Sequence, residues 1–302
     1  MKKRAACYCL AVCINLFLFT CNIAAQTANA HERVRFRLVR DYLIVVSVQV
    51  NGRGKFDFLL DTGTNTTIIT PTLATQFNIR PVARVELVTV AGSTITPYAL
   101  LPRLALGSRS TENIEALITD LPELCKLDAR ICGVLGQNFL ARFNYLLDYR
   151  ERRIEFVDAD ENRLRGTRLP IEQNEGRLLL TVQSTKPSQT ALKLVLDSGT
   201  LVLVLFESGY RKLRGGIELS NESFVQAATN AGKSTTRSGI LRQLRFGDES
   251  LSHLLVTLLQ SQLITQDRTE DGLLPTCLFR AIFFNNKEGY VILNPHKPKE
   301  KF

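Results

Sequence analysis

The chain has 302 residues, of which 45% are hydrophobic and 22% are charged, and its formal net charge is +9. This length and composition suit one large or two modest folded domains, and they exclude a chain that is mostly disordered. The basic residues form no stripe interleaved with aromatic residues, so we predict no nucleic-acid partner.

The first 30 residues have the layout of a secretory signal peptide. A basic start at residues 2–4 precedes an apolar stretch that is too short to span a membrane, and the small residues at 28–30 suit cleavage before His31. We therefore expect a secreted or periplasmic protein with no membrane span in its mature chain. An uncleaved anchor and a lipid on Cys21 are the alternatives.

A β-hairpin is predicted next along the chain. Val45–Val50 alternates in polarity, Asn51-Gly52 is a turn signal, and Phe56–Leu60 resumes the strand. Asp61-Thr62-Gly63-Thr64 follows directly, and a short helix is predicted over Thr70–Phe77.

Short apolar runs separated by turn residues continue to the end of the chain, which is typical of a mainly β protein. A second helix is predicted near Gln137–Ala141. Asp148–Arg153 and Asn285–Gly289 each predict a further hairpin turn. These segments contain three cysteines, Cys125, Cys132 and Cys277, whose pairing the sequence leaves open.

The second half of the chain repeats the features of the first in the same order. Asp197-Ser198-Gly199-Thr200 follows an apolar run, as Asp61 does, and the two aspartates are 136 residues apart. Later, Gly133-Val134-Leu135-Gly136 corresponds to Gly272-Leu273-Leu274-Pro275. A repeat of this length predicts two homologous lobes rather than a solenoid.

The lobe boundary is expected in a charged stretch that contains Pro170. We predict an N-terminal lobe over residues 31–160 and a C-terminal lobe over residues 161–302.

Two-fold pseudo-symmetry would bring Asp61 and Asp197 face to face at the seam between the lobes. Two carboxylates this close do not both ionise easily, so the pair shares one proton over a wide pH range. The ionised member can take a proton from water while the protonated member donates to a substrate carbonyl, which is general acid–base hydrolysis. The competing interpretation is that both aspartates are only turn residues.

The residues after each aspartate are predicted to support the pair: Thr62, Gly63 and Thr64 in the first half, and Ser198, Gly199 and Thr200 in the second. The glycines let the backbone turn tightly beside a carboxylate. Thr62 and Ser198 place hydroxyls next to the pair. We expect Thr64 and Thr200 to link the two loops by hydrogen bonds.

The two Asp-(Thr/Ser)-Gly-Thr loops resemble the active-site loops of the pepsin and retropepsin clan of aspartic peptidases, and Val134-Leu135-Gly136 resembles its hydrophobic-hydrophobic-glycine signature. Val50-Asn51-Gly52 before Asp61 is similar to bacterial retropepsin-like proteins. The resemblance covers roughly residues 33 to 296. It implies a bilobed fold of two closed, barrel-like β lobes with the active site at their interface.

The same resemblance implies an aspartic endopeptidase, a polypeptide substrate, a monomer, and neither a metal nor a cofactor. It also implies a flap that closes over the substrate, for which Val85–Tyr98, with Ala91, Gly92 and Ser93 at its tip, is the candidate. Gln226–Arg237 occupies the matching place in the second lobe, so the layout resembles a fused pair of retropepsins.

Two features depart from the pattern of this clan. No tyrosine lies at the flap tip, because Tyr98 comes later, and Pro275 stands where the first lobe has Gly136. The alternative function is therefore a non-catalytic protein that binds peptides or envelope material on the same fold. The histidines are scattered, so a Ser-His-Asp triad is not predicted.

Overall fold

The structure is a computed structural model, and it describes residues 32–89, 92–157, 164–184, 190–220, 225–229, 232–259 and 269–296. Strands account for most of these residues, so the prediction of a mainly β fold is confirmed. The signal peptide predicted at residues 1–30 lies outside the described residues and stays a prediction. None of the helices in the described ranges has the length and apolar character needed to cross a membrane.

The described strands of the first half are β1 (Glu32–Arg35), β2 (Arg37–Val39), β3 (Leu43–Val50), β4 (Arg53–Leu60), β5 (Thr67–Ile69), β6 (Ala83–Thr89), β7 (Gly92–Leu106), β8 (Arg109–Ile118), β9 (Ile131–Leu135), β10 (Tyr145–Asp148) and β11 (Arg153–Phe156). Its described helices are α1 (Pro71–Gln76), α2 (Pro122–Leu127) and α3 (Gln137–Leu140).

The described strands of the second half are β12 (Arg165–Asn174), β13 (Arg177–Ser184), β14 (Ala191–Asp197), β15 (Leu203–Leu205), β16 (Ile217–Leu219), β17 (Val225–Thr229), β18 (Gly232–Phe246), β19 (Glu249–Leu259), β20 (Gly272–Pro275), β21 (Ala281–Asn285) and β22 (Tyr290–His296). This half also contains α4 (Glu207–Leu213) and two 3-10 turns, at Arg214–Gly216 and Thr276–Leu278.

Each half contains a closed six-stranded barrel. In the first, the order is β3-β4-β9-β5-β8-β7, and the pairing of β3 with β7 closes the ring. In the second, the order is β13-β14-β20-β15-β19-β18, and the pairing of β13 with β18 closes it. The parallel and antiparallel neighbours correspond strand for strand, so the predicted pair of similar barrel-like lobes is confirmed.

Local sequence explains the first elements as predicted. Along β3, buried and exposed residues alternate in its second half, which fits a strand that lines a core. Asn51 and Gly52 both have positive φ, 50° and 71°, as the tight turn between β3 and β4 requires. The Thr70 hydroxyl caps α1 by accepting from Leu73 N at 3.3 Å, and Pro71 occupies the first turn, where no donor is needed.

The two lobes share a third layer that the sequence analysis did not predict. The strands β1, β11 and β10 of the first lobe join β21, β22 and β12 of the second in one continuous sheet. At the junction, Tyr145 pairs with Phe284, and their rings stack with centroids 4.6 Å apart. Both residues are fully buried, so the lobes are fused through a common core rather than tethered by a linker.

The Phe284→Ala substitution tests this shared layer. Phe284 is fully buried at the lobe junction, so we expect its truncation to lower the free energy of unfolding by about 3–5 kcal/mol. Leu255→Ala is the control, because Leu255 is 54% exposed and its loss should cost less than about 0.5 kcal/mol. Urea unfolding followed by circular dichroism measures both values, and equal costs for the two variants would contradict the shared core.

Candidate active site

Asp61 and Asp197 lie at the seam between the barrels, each at the end of a buried strand. Asp61 directly follows β4, and its backbone N–H donates to Leu135 O at 3.1 Å. Asp197 is the last residue of β14 and pairs with Pro275 of β20. In both lobes a parallel neighbouring strand therefore fixes the backbone next to the aspartate.

Four hydrogen bonds cross between the two aspartate loops. The Thr62 hydroxyl donates to Leu196 O at 2.8 Å and accepts from Ser198 N at 3.0 Å. In the reciprocal pair, the Ser198 hydroxyl donates to Leu60 O at 2.8 Å and accepts from Thr62 N at 3.0 Å. Thr62 and Ser198 are 0% and 1% exposed, so water does not compete for these bonds.

The predicted linking role of Thr200 was wrong, because the cross-lobe bonds come from the residue directly after each aspartate. The same role of Thr64 stays a prediction. The Thr200 hydroxyl donates to Val202 O within its own loop, and Thr64 O accepts from Gln137 N in its own lobe. The side chains of Thr62 and Ser198 point across the seam since they follow strands that end there.

The two glycines of the motif let the carboxylates approach each other. A Cβ on Gly63 would lie 2.5 Å from Cγ of Asp197, a clash with the opposite lobe. A Cβ on Gly199 would lie 3.1 Å from Oδ2 of Asp61 and 3.1 Å from Oδ1 of its own neighbour Asp197. Each glycine thus borders the carboxylate of the other lobe, as two-fold pseudo-symmetry predicts.

Backbone donors orient both carboxylates. Gly63 N donates to Oδ1 of Asp61 at 2.8 Å, and Gly199 N donates to Oδ1 of Asp197 at 2.6 Å. The two carboxyl groups also lie close enough to shift each other's pKa. Two carboxyl groups can hydrogen-bond to each other only when one of them carries a proton.

Burial and mutual repulsion make this pair hard to ionise twice. Burial raises the pKa of Asp61, against the opposing effect of bonds from Gly63, Asp197 and Thr64. Burial raises the pKa of Asp197 well above its usual value, and the charge of Asp61 raises it further. Both effects disfavour a doubly ionised pair, so a single proton shared between the two carboxyl groups is the expected state.

Two polar side chains, Gln137 and Asn138, support the first aspartate loop and were not predicted from the sequence. Gln137 Nε2 donates to Thr62 O at 2.9 Å, and Asn138 Oδ1 accepts from both the backbone and the hydroxyl of Thr67, at 3.0 and 2.8 Å. A Cβ on Gly136 would lie 2.7 Å from the backbone of Thr66, which explains this glycine. In the sequence, the position of Gln137 and Asn138 directly after Gly136 was the signal that could have indicated this supporting role.

The second lobe has different residues in the equivalent places. Leu203, Pro275, Thr276 and Cys277 correspond to Thr67, Gly136, Gln137 and Asn138. Pro275 continues the β14–β20 ladder opposite Asp197. The Cys277 thiol lies 3.8 Å from Thr200 O of the second aspartate loop.

Each lobe carries a hairpin where the flap was predicted. In the first lobe β6 pairs with β7, and Thr89 and Val88 lie opposite Gly92 and Ser93. Ala91 falls outside the described residues. In the second lobe β17 pairs with β18 in the equivalent arrangement, which fits the predicted layout of a fused retropepsin pair.

The remaining candidates are Tyr98 and the cysteines, of which Cys277 lies beside the second aspartate loop. Tyr98 pairs with Ala83 and Leu117 in the barrel wall, and burial together with a bond to Glu115 raises the pKa of its hydroxyl. Cysteines 125, 132 and 277 are free thiols. Within the described ranges, no group of three or more histidine, cysteine or acidic residues is placed to hold a metal ion.

Comparison with known proteins agrees with this geometry. A family model described as aspartyl protease matches residues 46–139, which run from β3 to α3 and include Asp61. A search of curated proteins found no match. The predicted relationship to the aspartic peptidases is therefore confirmed through the first lobe.

The Thr62→Val substitution tests the cross-lobe hydrogen bonds. It removes one donor and one acceptor and leaves Leu196 O and Ser198 N buried without them, so we expect a loss of about 2–4 kcal/mol in the free energy of unfolding. Thr200→Val is the matched control, because its hydroxyl bonds only within its own loop, and it should cost about 1 kcal/mol or less. Chemical unfolding ranks the two variants, and the reverse order would refute this assignment.

The pH dependence of stability tests the raised pKa of Asp197. A free aspartate titrates near pH 4, so above that pH the unfolded chain releases a proton that folded Asp197 retains. The free energy of unfolding should consequently fall as pH rises from 4 through the raised pKa, by up to about 1.4 kcal/mol per pH unit. Asp197→Asn removes this dependence.

Urea unfolding of both proteins at intervals from pH 4 to pH 7 measures the difference. The contributions of groups distant from the pair cancel in the comparison, whereas the coupled titration of Asp61 is part of the difference that is measured. The variant should gain stability relative to the natural chain as pH rises, and a constant difference across this range would show that Asp197 titrates normally.

Proposed function

We propose that this chain, whose first lobe matches the aspartyl protease family, is an endopeptidase that hydrolyses polypeptides with the Asp61–Asp197 pair. The observation that carries the proposal is the close approach of two carboxyl groups, one from each lobe, each bordered by the glycine of the opposite loop. An acid and a base held side by side are the two groups that hydrolysis by activated water needs.

The first step adds water to the peptide carbonyl. We assign Asp61 as the base, with its negative charge stabilised by the backbone N–H of Gly63, and it takes a proton from the attacking water. Asp197 is the acid, because burial and the neighbouring charge keep it protonated, and it donates to the carbonyl oxygen. The product is a tetrahedral diol, and the negative charge now lies on Asp197.

The second step cleaves the C–N bond. Asp61 returns its proton to the departing nitrogen, and Asp197 recovers a proton from a hydroxyl of the diol. The pair ends with the same single proton with which it began, and no covalent intermediate with the protein forms. Both steps need each carboxyl group to stay within a fraction of an ångström of its productive position. The reciprocal bonds of Thr62 and Ser198 favour such precise positioning.

The paired hairpins support an extended polypeptide substrate. The hairpin β6–β7 and its counterpart β17–β18 each add a strand outside the six-stranded ring of their barrel, and we propose that they close over a substrate strand. An extended chain lying across the seam would meet both lobes, which suits cleavage within a chain rather than at its end.

Conversion of each aspartate to asparagine tests the proposed activity. Asp61→Asn and Asp197→Asn should each lower the cleavage rate of an unfolded protein substrate by about 10³-fold or more, because the pair then lacks its base or its acid. Asp120→Asn is the control, since Asp120 is an exposed aspartate in the same lobe as Asp61. Cleavage is followed by mass spectrometry from pH 3 to pH 7, with and without a statine-type inhibitor.

The pattern of results separates the enzyme from a binding protein. Inhibitor-sensitive cleavage that is lost only in the two active-site variants supports the proposal. If the natural chain binds the inhibitor and peptides but cleaves nothing at any pH in this range, the non-catalytic alternative holds instead. Unfolding curves of the same variants show that lost cleavage does not reflect lost folding.

A further inference from the structure

The aspartate loops are supported from below in two different ways. Under the first loop, the buried amide of Gln137 donates to Thr62 O at 2.9 Å. The equivalent residue of the second lobe is Thr276, which is 0% exposed and has a much shorter side chain. An unaided threonine at this position cannot reproduce the reach of glutamine.

In the second lobe, Thr276 hydrogen-bonds to a tyrosine that comes from the first lobe. Tyr149 follows β10, and its hydroxyl lies 2.6 Å from Oγ1 of Thr276. Its backbone N–H donates to Arg280 O at 3.0 Å, and its ring packs edge-on against Phe36 with centroids 6.2 Å apart. Tyr149 is thus bonded to the second lobe twice, through its backbone N–H and through its hydroxyl.

The hydroxyl pair of Tyr149 and Thr276 lies next to the strand end that faces Asp197. Thr276 directly follows Pro275, and Pro275 is the residue opposite Asp197 in the β14–β20 ladder. The strand ends around it are apolar and fully buried, as at Leu196 and Leu274. The Tyr149–Thr276 pair thus places two hydroxyls next to the strand end opposite Asp197.

We propose that Tyr149 is a positioning residue of the aspartate pair, which acts through Thr276 to hold the Asp197 loop and to stabilise negative charge on the two carboxyl groups. The inference rests on the proposed function, but it concerns the proton affinity of the pair and so can be measured without substrate. An O–H dipole near a buried anion lowers the free energy of that anion.

The groups around the pair leave Tyr149 as a permanent neutral donor. Burial raises the pKa of Tyr149, and the charges of Cys277, Asp197 and Asp61 raise it further. Burial also raises the pKa values of Cys277 and of Tyr42, the other titratable groups that interact with Asp197. Between pH 3 and pH 7, only the two aspartates of this cluster are expected to change charge.

The experiment compares Tyr149→Phe, Thr276→Val and the double variant with the natural chain. Each single variant removes one hydroxyl and keeps the shape, so each should raise the lower apparent pKa of the aspartate pair by roughly half a unit. If the two hydroxyls act as one unit, the double variant shows the same shift as either single variant. Thr276→Ser retains a hydroxyl and should leave the pKa unchanged.

Tyr290→Phe is the control for the loss of a buried tyrosine hydroxyl. Tyr290 is 5% exposed and lies in β22, where its ring contacts Arg168 and Phe283 rather than the aspartate loops. We expect any change in its thermal stability to occur without a shift in the titration of the pair. A purely structural role of Tyr149 would make Tyr149→Phe behave in the same way.

Two readouts separate this inference from the proposed function. Carboxyl ¹³C chemical shifts of Asp61 and Asp197, assigned with Asp61→Asn, report the titration even in a protein that cleaves nothing. The pH profile of kcat/KM reports it in an active one. Unchanged carboxyl titration in Tyr149→Phe and Thr276→Val, or additive shifts in the double variant, would overturn the positioning role, whether or not cleavage occurs.

Discussion

The structure depends on the reciprocal hydrogen bonds through which Thr62 and Ser198 each hold the backbone of the opposite loop. Two carboxyl groups in contact oppose this arrangement, because burial and repulsion both disfavour their charges. Each bond contributes only about 1 kcal/mol net, yet breaking one leaves buried groups without partners, at about 1–3 kcal/mol each. The seam therefore stays closed mainly because opening it would leave buried polar groups without partners. A proton shared between Asp61 and Asp197 removes most of the repulsion between them.

Such fine positioning needs a rigid base, which the three layers provide. Each aspartate follows a strand inside a closed barrel, so no free strand edge lies next to it. The shared sheet then fixes one barrel to the other through Tyr145 and Phe284, whose rings stack within a fully buried core. Because the lobes cannot rotate about a linker, the distance between Asp61 and Asp197 is determined by core packing as well as by contacts at the seam.

The sequence predicted the elements that depend on local signals and on the repeat. The hairpin at Asn51, the helix after Thr70 and the pairing of the two aspartate loops were all predictable, because turn chemistry, capping and duplicated order identify them. The shared sheet was not, since strands from both ends of each half form it and no periodicity reports pairing over such separations. The linking hydroxyls were assigned two residues too late in the chain, because the direction of the strand end decides which hydroxyl crosses the seam, as at Thr62 and Ser198.

The least predictable feature is the difference between the halves, since a repeat directs attention to what the halves share. The first lobe supports its loop with the amide of Gln137, whereas the second combines Thr276 with a tyrosine hydroxyl contributed by the first. Two identical halves would give both carboxyl groups equal proton affinities, and the shared proton would have no preferred site. Divergence at these supporting positions gives the two carboxyl groups different surroundings, so a nearly symmetric pair can have a preferred site for a shared proton.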